Sequence, residues 1–381
     1  MCKKSLTGIT WDHSRGYTPM IATSQRFSEI NPEVTIRWEK RSLQEFADQS
    51  IVALAGEYDL IVLDHPWIGA AAERQVILPL DEHLPPAFTR ELASYSVGSS
   101  YSSYTYQGHQ WAFPIDAATP VAACRPDLLS RMNLQPPKTY SQLLAMAATG
   151  RVILPAIAID SLMHFYMFCA SLGERPFSTD KAVVTGEIGA ESLRLLKRLI
   201  EKTDPRCFDW NPVKVYEMMA ETDEFVYCPF AYGYSNYSRK GYAAHRLNFH
   251  DLISLDNHRK LISTLGGTGI AVSSHTAHPD IAMEYIRYIS SATCQQTLYF
   301  ENGGQPAHYL AWTDYYANFK CAGFFKATLP ALKRAYLRPR YNGYIDFQDQ
   351  AGDIVRDYLL KGGPEKETLH QLNNLYHASV S

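Results

Sequence analysis

The 381-residue sequence has no CxxC pair and no close cysteine spacing; its seven cysteines are scattered. That argues against a disulfide framework or a structural zinc site, and leaves cysteine as a small apolar residue. No run of 18 or more residues is apolar throughout. The nearest, VILPAIAIDSLMHFYMFCASLG, is broken by Pro155, Asp160 and His164. It reads as a strand followed by a buried helix rather than a membrane span. Neither sign of charge dominates: 36 basic residues face 39 acidic ones, a net of -3. There is no electrostatic case for nucleic acid or for an anionic membrane. The start, MCKKSLTGITW, has no apolar segment of the kind a secretory signal needs. As it stands the sequence is therefore expected to be cytoplasmic, or periplasmic or extracellular if an export signal has been removed. Cys2 as a lipid-bearing residue would need a tether, and none follows it. Internal repeats and low-complexity segments are absent. LGGTG lacks the GxxxxGK[ST] spacing and precedes a strand, so it is no phosphate loop.

What is there suits a soluble chain of two domains, 46% hydrophobic and 20% charged. Aromatic residues stand out, with 25 Tyr and 6 Trp. Many fall in loop-like segments such as YSSYTYQGHQW and YCPFAYGYSNYSRKGY. Amphipathic rings outside a core suit recognition of flat, part-polar ligands, or simply fill half-exposed positions.

The first third alternates between periods. LTGITW, VTIRWE and YDLIVL read as strands, the last continuously apolar and so buried on both faces. Between them, 18–30 reads as a helix with Ile21, Phe27 and Ile30 inward, and Ser42 caps a helix carrying Leu43, Phe46 and Ile51. An Ala-rich helix follows from Ile68. This order predicts an open parallel sheet covered by helices. YTYQGHQWAFP is expected to be a hairpin turning at Gln107-Gly108. TPVAACRPDLL reads as a strand and short helix, and Thr139 starts another helix. The middle third alternates again, with RVILPAIAI and EFVYC as strands and helices through Phe165 and Phe168 and over 187–201. LGGTGIAVSS is a Gly-rich strand. HPDIAMEYIRYISS is a helix with Ile281, Tyr285, Ile286 and Ile289 on one face. Beyond Trp312 the chain is mostly helical.

Two strands end alike, at Asp12-His13 and at Asp64-His65. In open α/β sheets ligands bind outside the carboxyl ends of the strands, so both pairs are expected at one crevice. Four readings suit them: metal ligation, acid–base chemistry, hydrogen bonding to a polyol-like solute, or capping of the following turn. Adjacent residues on a strand end point apart, which weakens the metal reading. Trp11, Tyr17 and Trp67 surround the pairs. Trp11, inside its strand, reads as core, and Trp67, in the turn, reads as a ring for stacking on a ligand. Arg15 and Arg340 each have the planar fork for a ligand carboxylate, or for a salt bridge; if both face the ligand, it is anionic.

From YQGHQWAFPIDAATPVAACRPDLL to PPKTYSQLL the text resembles the family 1 extracellular solute-binding proteins of ABC importers, the maltose-binding type. FSEINPEVTIRWE, YDLIVLDHPWIGAAAERQVILPLDEHL, GGTGIAVSSHTAHPDIAMEYIRYISS, NGGQPAH and RPRYNGYIDF extend the likeness in the same order over nearly the whole chain. The resemblance implies an α/β, two-lobed periplasmic-binding-protein-like fold of type II. Each lobe would be a sheet flanked by helices, joined by hinge crossings. Lobe one would be 1–116 plus 264–311, and lobe two 117–263 plus 312–381. A ligand would be held between the lobes and closure would be a hinge motion.

The resemblance further implies a protein that captures a small polar solute, carbohydrate-like or a sugar acid or carboxylate, for an ABC importer. It implies no cofactor, no bound metal and no covalent change. The implied partners are the small-molecule ligand and importer permease subunits, with no nucleic acid, for a monomer. The alternative is a cytoplasmic enzyme or sensor on the same fold, using the Asp-His pairs. The expected ligand-binding set is Asp12, His13, Arg15, Tyr17, Asp64, His65 and Trp67 from the first strands, with Asp116 from the crossing segment. Tyr232 and Tyr234 come from lobe two, Gly266 and Gly267 as points of close backbone approach, and Gly303 and Gln305 from ENGGQPAH. Arg340 and Tyr341 come from RPRYNGY. A thiaminase branch resembles this fold, but FPIDAAT holds no cysteine where a nucleophile is expected. Cys124 and Cys228 therefore read as buried residues, and no catalytic residue is assigned.

Overall fold

The computed structural model describes residues 4–256 and 259–380, which leaves Cys2 outside the described residues. Ten strands are described: β1 (Lys4–Trp11), β2 (Val34–Arg41), β3 (Leu60–Leu63), β4 (Thr105–Tyr106), β5 (His109–Gln110), β6 (Phe113–Ala118), β7 (Pro120–Cys124), β8 (Tyr227–Tyr232), β9 (Asn248–His250) and β10 (Gly266–Val272). The chain divides into two compact units. The first runs to Ala118 and adds Gly266–Phe319 and Arg340–Asn342. The second holds Thr119–Leu265, Lys320–Pro339 and the chain from Gly343 onward.

The first unit is built on a five-stranded sheet in the order β2-β1-β3-β10-β6. β1 pairs in parallel with both β2 and β3. β10 runs antiparallel between β3 and β6. The sheet is therefore mixed, not purely parallel as the β-α-β order suggested. A strand that arrives some 150 residues later has no sequence mark of its direction. Leu60 and Val62 join one core cluster, with Met20, Phe27 and Ile286. Ile61 and Leu63 join the other, with Leu54, Ile68 and Ala71. The period of two thus feeds both faces of a sheet covered by helices, which explains the unbroken apolar run.

The helix Thr18–Ile30 falls where the sequence put it, but Ile21 and Ile30 are exposed. Its buried face is Pro19, Met20, Thr23, Ser24 and Phe27; Thr23 binds the Tyr285 hydroxyl at 2.9 Å, so a polar residue took the inward place. Ser42 caps Leu43–Asp48 with a full capping box to Glu45. That helix stops at Asp48, and Ile51 opens a separate helix, Ile51–Glu57. The hairpin β4–β5 turns at Gln107 and Gly108, both with positive φ, the conformation a two-residue turn requires.

The second unit carries the antiparallel sheet β8-β7-β9. Its central helix, Ala158–Ser171, is buried from Asp160 to its end. RVILPAIAI is buried over 152–156 but is not a strand, and its last two residues already belong to the helix Ala158–Ser171. Only Val152 bridges to Tyr227, and Pro155, which lacks a backbone N–H, cuts the segment before a ladder can grow. EFVYC becomes strand only from Tyr227. Among the described residues no helix is long and apolar enough to cross a membrane.

Candidate functional site

In the first unit β1, β2 and β3 end at one edge of the sheet. β6 ends there too, because it is antiparallel to β10, which is itself antiparallel to β3. Asp12-His13, Asp64-His65 and Asp116 are therefore brought to the same edge, together with Gly266 and Gly267 at the start of β10. This is the convergence that ligand sites in α/β sheets use.

The residues at this edge differ in employment. Asp12 is exposed and accepts from Lys40 Nζ at 2.9 Å. Lys40 also lies over the ring of Tyr17, 5.3 Å from its centroid. His13 is half-buried and its Nδ1 accepts from the Arg15 backbone N–H at 2.9 Å. Burial lowers its pKa to about 4, the Arg15 charge adds to that, and Asp12 opposes it. At neutral pH it is an uncharged imidazole, far from the range of a general base at pH 7. Thr18, opening the next helix, donates to Asn302 O at 2.6 Å and ties this corner to the 302–305 loop.

Arg15 is buried and lies against Asp116. Its Nε donates to Oδ2 at 2.8 Å, and its Nη2 donates to Oδ1. Burial raises the Asp116 pKa; the Arg15 charge and the Gln305 backbone N–H pull it down. Gln305 is buried too, and its Nε2 donates to Ala117 O at 2.8 Å. Arg15, Asp116 and Gln305 thus form one network under the edge.

Asp64 caps the turn His65–Trp67. Its Oδ1 accepts from the His65 N–H at 2.8 Å and lies 3.0 Å from His65 Nδ1. His65 is buried edge-on to the Tyr104 ring, whereas Trp67 is half-buried. Gly267 has φ +105°, and a Cβ there would sit 2.3 Å from Asp116 O. It and Gly266 pair with Ala117 and Ala118, so the close approach they permit is that of β10 to β6. Gly303, at positive φ, stops the preceding helix. Arg340 gives Nη1 to the carbonyls of Ser103 and Thr105 at 3.1 and 2.8 Å, and to that of Ser102. Tyr341 beside it is half-buried.

In the second unit Tyr232 ends β8, half-buried, with its hydroxyl 3.1 Å from Thr264 Oγ1. Tyr234 is buried, its ring 6.3 Å from that of Tyr216. Cys228 is fully buried and its thiol pKa is raised; burial pushes Cys124 up to about 12. Neither supplies a thiolate near pH 7. Sequence reasoning passed over Asp160 as a site residue. It is buried, its Oδ2 has no partner among the described residues, and burial alone raises its pKa to about 8. The signal was present, a carboxylate inside an otherwise apolar run. Among the described residues no three His, Cys, Asp or Glu side chains gather where a metal ion would be held.

A family profile described as bacterial extracellular solute-binding protein matches residues 22–308. A maltotriose-binding protein of Pyrococcus abyssi is 27% identical over 120 residues, 32% of this chain and 25% of that protein. The chain thus matches only a quarter of that curated relative's length. Among solved structures, a maltose-bound MalE3 of T. maritima has a TM-score of 0.84 at 16% identity, covering 98% of this chain and 99% of that one. A ribitol complex of an ABC transporter solute-binding protein from Agrobacterium radiobacter K84 has a TM-score of 0.82 at 17% identity, covering 98% of each chain. At such identities the likeness is one of fold: α/β, two-lobed, each lobe a sheet flanked by helices.

Proposed function

Because the chain belongs to the bacterial extracellular solute-binding proteins, we propose that it captures an uncharged sugar or polyol outside the cytoplasmic membrane and hands it unchanged to the permease subunits of an ABC importer. The observation that carries the reading is the polar, aromatic-flanked edge of the first sheet. Asp12, His13 and Asp64 offer hydrogen-bonding groups there, and Tyr17 and Trp67 offer half-buried rings. Alternating hydroxyls and C–H faces of a sugar match that mixture. The choice of a neutral solute over a sugar acid rests on the two arginines. Arg15 is committed to Asp116, and Arg340 to three backbone carbonyls. The Arg15 fork is filled and Arg340 Nη1 is taken up, which leaves less positive charge for a ligand carboxylate. Two solved structures of like fold are complexes with maltose and with ribitol, which agrees with that class.

The reading has the protein act as a monomer, with Gly303 and Gln305 shaping the edge rather than touching solute. The end of β8, with Tyr232 and Tyr234, is a second candidate binding surface, to be tested by its own substitutions. The test is a thermal-shift and calorimetric series with maltose, maltotriose, ribitol, mannitol and gluconate. A ligand at 100 times its Kd should stabilise the fold by about 2.7 kcal/mol. The expected result is a neutral sugar or polyol recovered unchanged, with Trp67→Ala weakening it roughly tenfold, about 1.4 kcal/mol. Preference for gluconate, or conversion of the ligand, overturns the reading.

A further inference from the structure

Asp160 and His164 stand one turn apart in the central helix of the second unit, Ala158–Ser171. Residues four apart on a helix share a face, with about 5–6 Å between their Cβ atoms. Both are buried, Asp160 at 3% and His164 at 1% exposure. Each carries a buried polar atom, Asp160 Oδ2 and His164 Nδ1, with no hydrogen-bond partner among the described residues. The two atoms therefore do not bond each other. Leaving both unmade in a core is costly, and buried polar groups are as a rule satisfied.

The rest of the imidazole fixes what Nδ1 can do. The ring hydrogen-bonds the Phe230 backbone, and that bond favours the protonated ring, so a ring N–H donates to the carbonyl. Nδ1 has no partner, so the donor is Nε2, and the neutral ring keeps its lone pair on Nδ1. Phe230 lies in a bulge of β8, where it and Pro229 stand opposite the single residue Ala122 of β7. A bulge interrupts the ladder and frees backbone groups for other partners. The Phe230 ring also meets the imidazole at 4.5 Å and 66°, which holds its plane. Burial lowers the His164 pKa to about 3, so near pH 7 Nδ1 is an acceptor.

Asp160 is the complement. Burial raises its pKa to about 8 and no cation acts on it, so near pH 7 the carboxyl offers a proton. Its titratable neighbours, Cys228 of β8 and Tyr216 of the helix Pro212–Glu221, are buried and held neutral. The Tyr216 hydroxyl gives its proton to Ala231 O at 3.0 Å. An occupant must accept from the carboxyl, donate to Nδ1, and be small enough to be enclosed. An anion has no proton for Nδ1. A metal ion would need more ligands, and no three His, Cys, Asp or Glu side chains gather among the described residues. Water fills both roles, and two polar partners meet the least that a buried water needs. It can also turn to donate to both atoms once the carboxyl ionises. We propose that one water molecule is a fixed part of this core, held between Asp160 Oδ2 and His164 Nδ1, accepting from the carboxyl and donating to the imidazole.

The test uses crystals of the full chain grown near neutral pH and diffracting well enough to show ordered solvent. They should hold a single solvent peak within about 3.2 Å of both atoms. A direct Oδ2–Nδ1 hydrogen bond, no peak between the two, or a peak at metal-ligand distances overturns the proposal. In solution, ¹⁷O relaxation dispersion counts long-lived internal waters. Asp160→Asn keeps a donor and an acceptor and should keep the count of the parent chain. Asp160→Leu removes both and should lose one long-lived water. Equal counts in the parent chain and Asp160→Leu overturn the proposal, and the crystal of the parent chain decides it even if Asp160→Leu does not fold.

Discussion

Arg15 grips Asp116 at two points, Nε to Oδ2 at 2.8 Å and Nη2 to Oδ1, although the two stand 101 positions apart in the chain. Both are buried. The pair fastens the loop after β1 to the far strand of the same sheet, and so fixes the spacing of the residues proposed to meet solute.

Breaking this pair from one side should be costly. Asp116→Ala leaves a buried guanidinium without its counter-charge, and should lower stability by about 3–5 kcal/mol. The double change Arg15→Met with Asp116→Leu should recover most of that, since neither charge remains to be desolvated. Urea denaturation of Arg15→Met, Asp116→Leu and the double variant gives the coupling directly.

The His13 imidazole should titrate at about 4, against an ordinary value of 6.5. A lowered histidine contributes stability that is present above 6.5 and is lost as pH falls toward 4, because only the unfolded chain takes up the proton there. NMR titration of the imidazole checks the midpoint. Solute affinity should be flat from pH 6 to pH 8 as far as His13 is concerned, and a midpoint near 6.5 would contradict the geometry of the corner.

Asp160 and His164 set a second pH profile, in the second unit. Burial raises Asp160 to about 8 and lowers His164 to about 3. Asp160 sits in the first turn of its helix, where the dipole favours an anion, yet desolvation outweighs that. Its contribution is full below 3.8 and is lost as pH rises to about 8. That of His164 is full above 6.5 and is lost as pH falls to about 3. The two slopes oppose between 3.8 and 6.5. From 6.5 to 8 Asp160 acts alone, so stability should fall there by at most about 1.4 kcal/mol per pH unit. Melting curves across that window should slope for the parent chain and lie flat for Asp160→Asn.

Gly69 packs against the returning segment at Arg340. A Cβ on it would stand 1.7 Å from Arg340 O. Gly69→Ala should cost about 1–3 kcal/mol and release the hold of Arg340 on the 102–105 carbonyls. Gly56, in the helix Ile51–Glu57, has open space around it. Gly56→Ala should instead stabilise by up to about 1 kcal/mol through helix propensity. Thermal denaturation of the two variants compares them.

Much of this protein is written locally. Ser42 with Glu45, Thr139 and Pro279 start their helices because each start is decided by atoms within three residues. The Gln107-Gly108 turn is fixed by the φ those two residues adopt. The alternation in β1–β3 and the Asp-His ends follow from the period of side chains along a strand. The order of these pieces carried the likeness to the solute-binding family. What local pattern could not convey is which distant segment each piece meets. β10 entered the sheet between β3 and β6 and reversed the local direction. Ile21 and Ile30 lost their inward places to Thr23 and Ser24, since the partner helix offered a tyrosine hydroxyl. Pro155 turned a promising strand into a buried bridge. Arg15 and Arg340 carry the same fork, and nothing in their neighbours says that one would take a carboxylate and the other three carbonyls. Hydrogen bonds and ion pairs act over a few ångströms of space, not of sequence, so their partners exist only once the chain has folded.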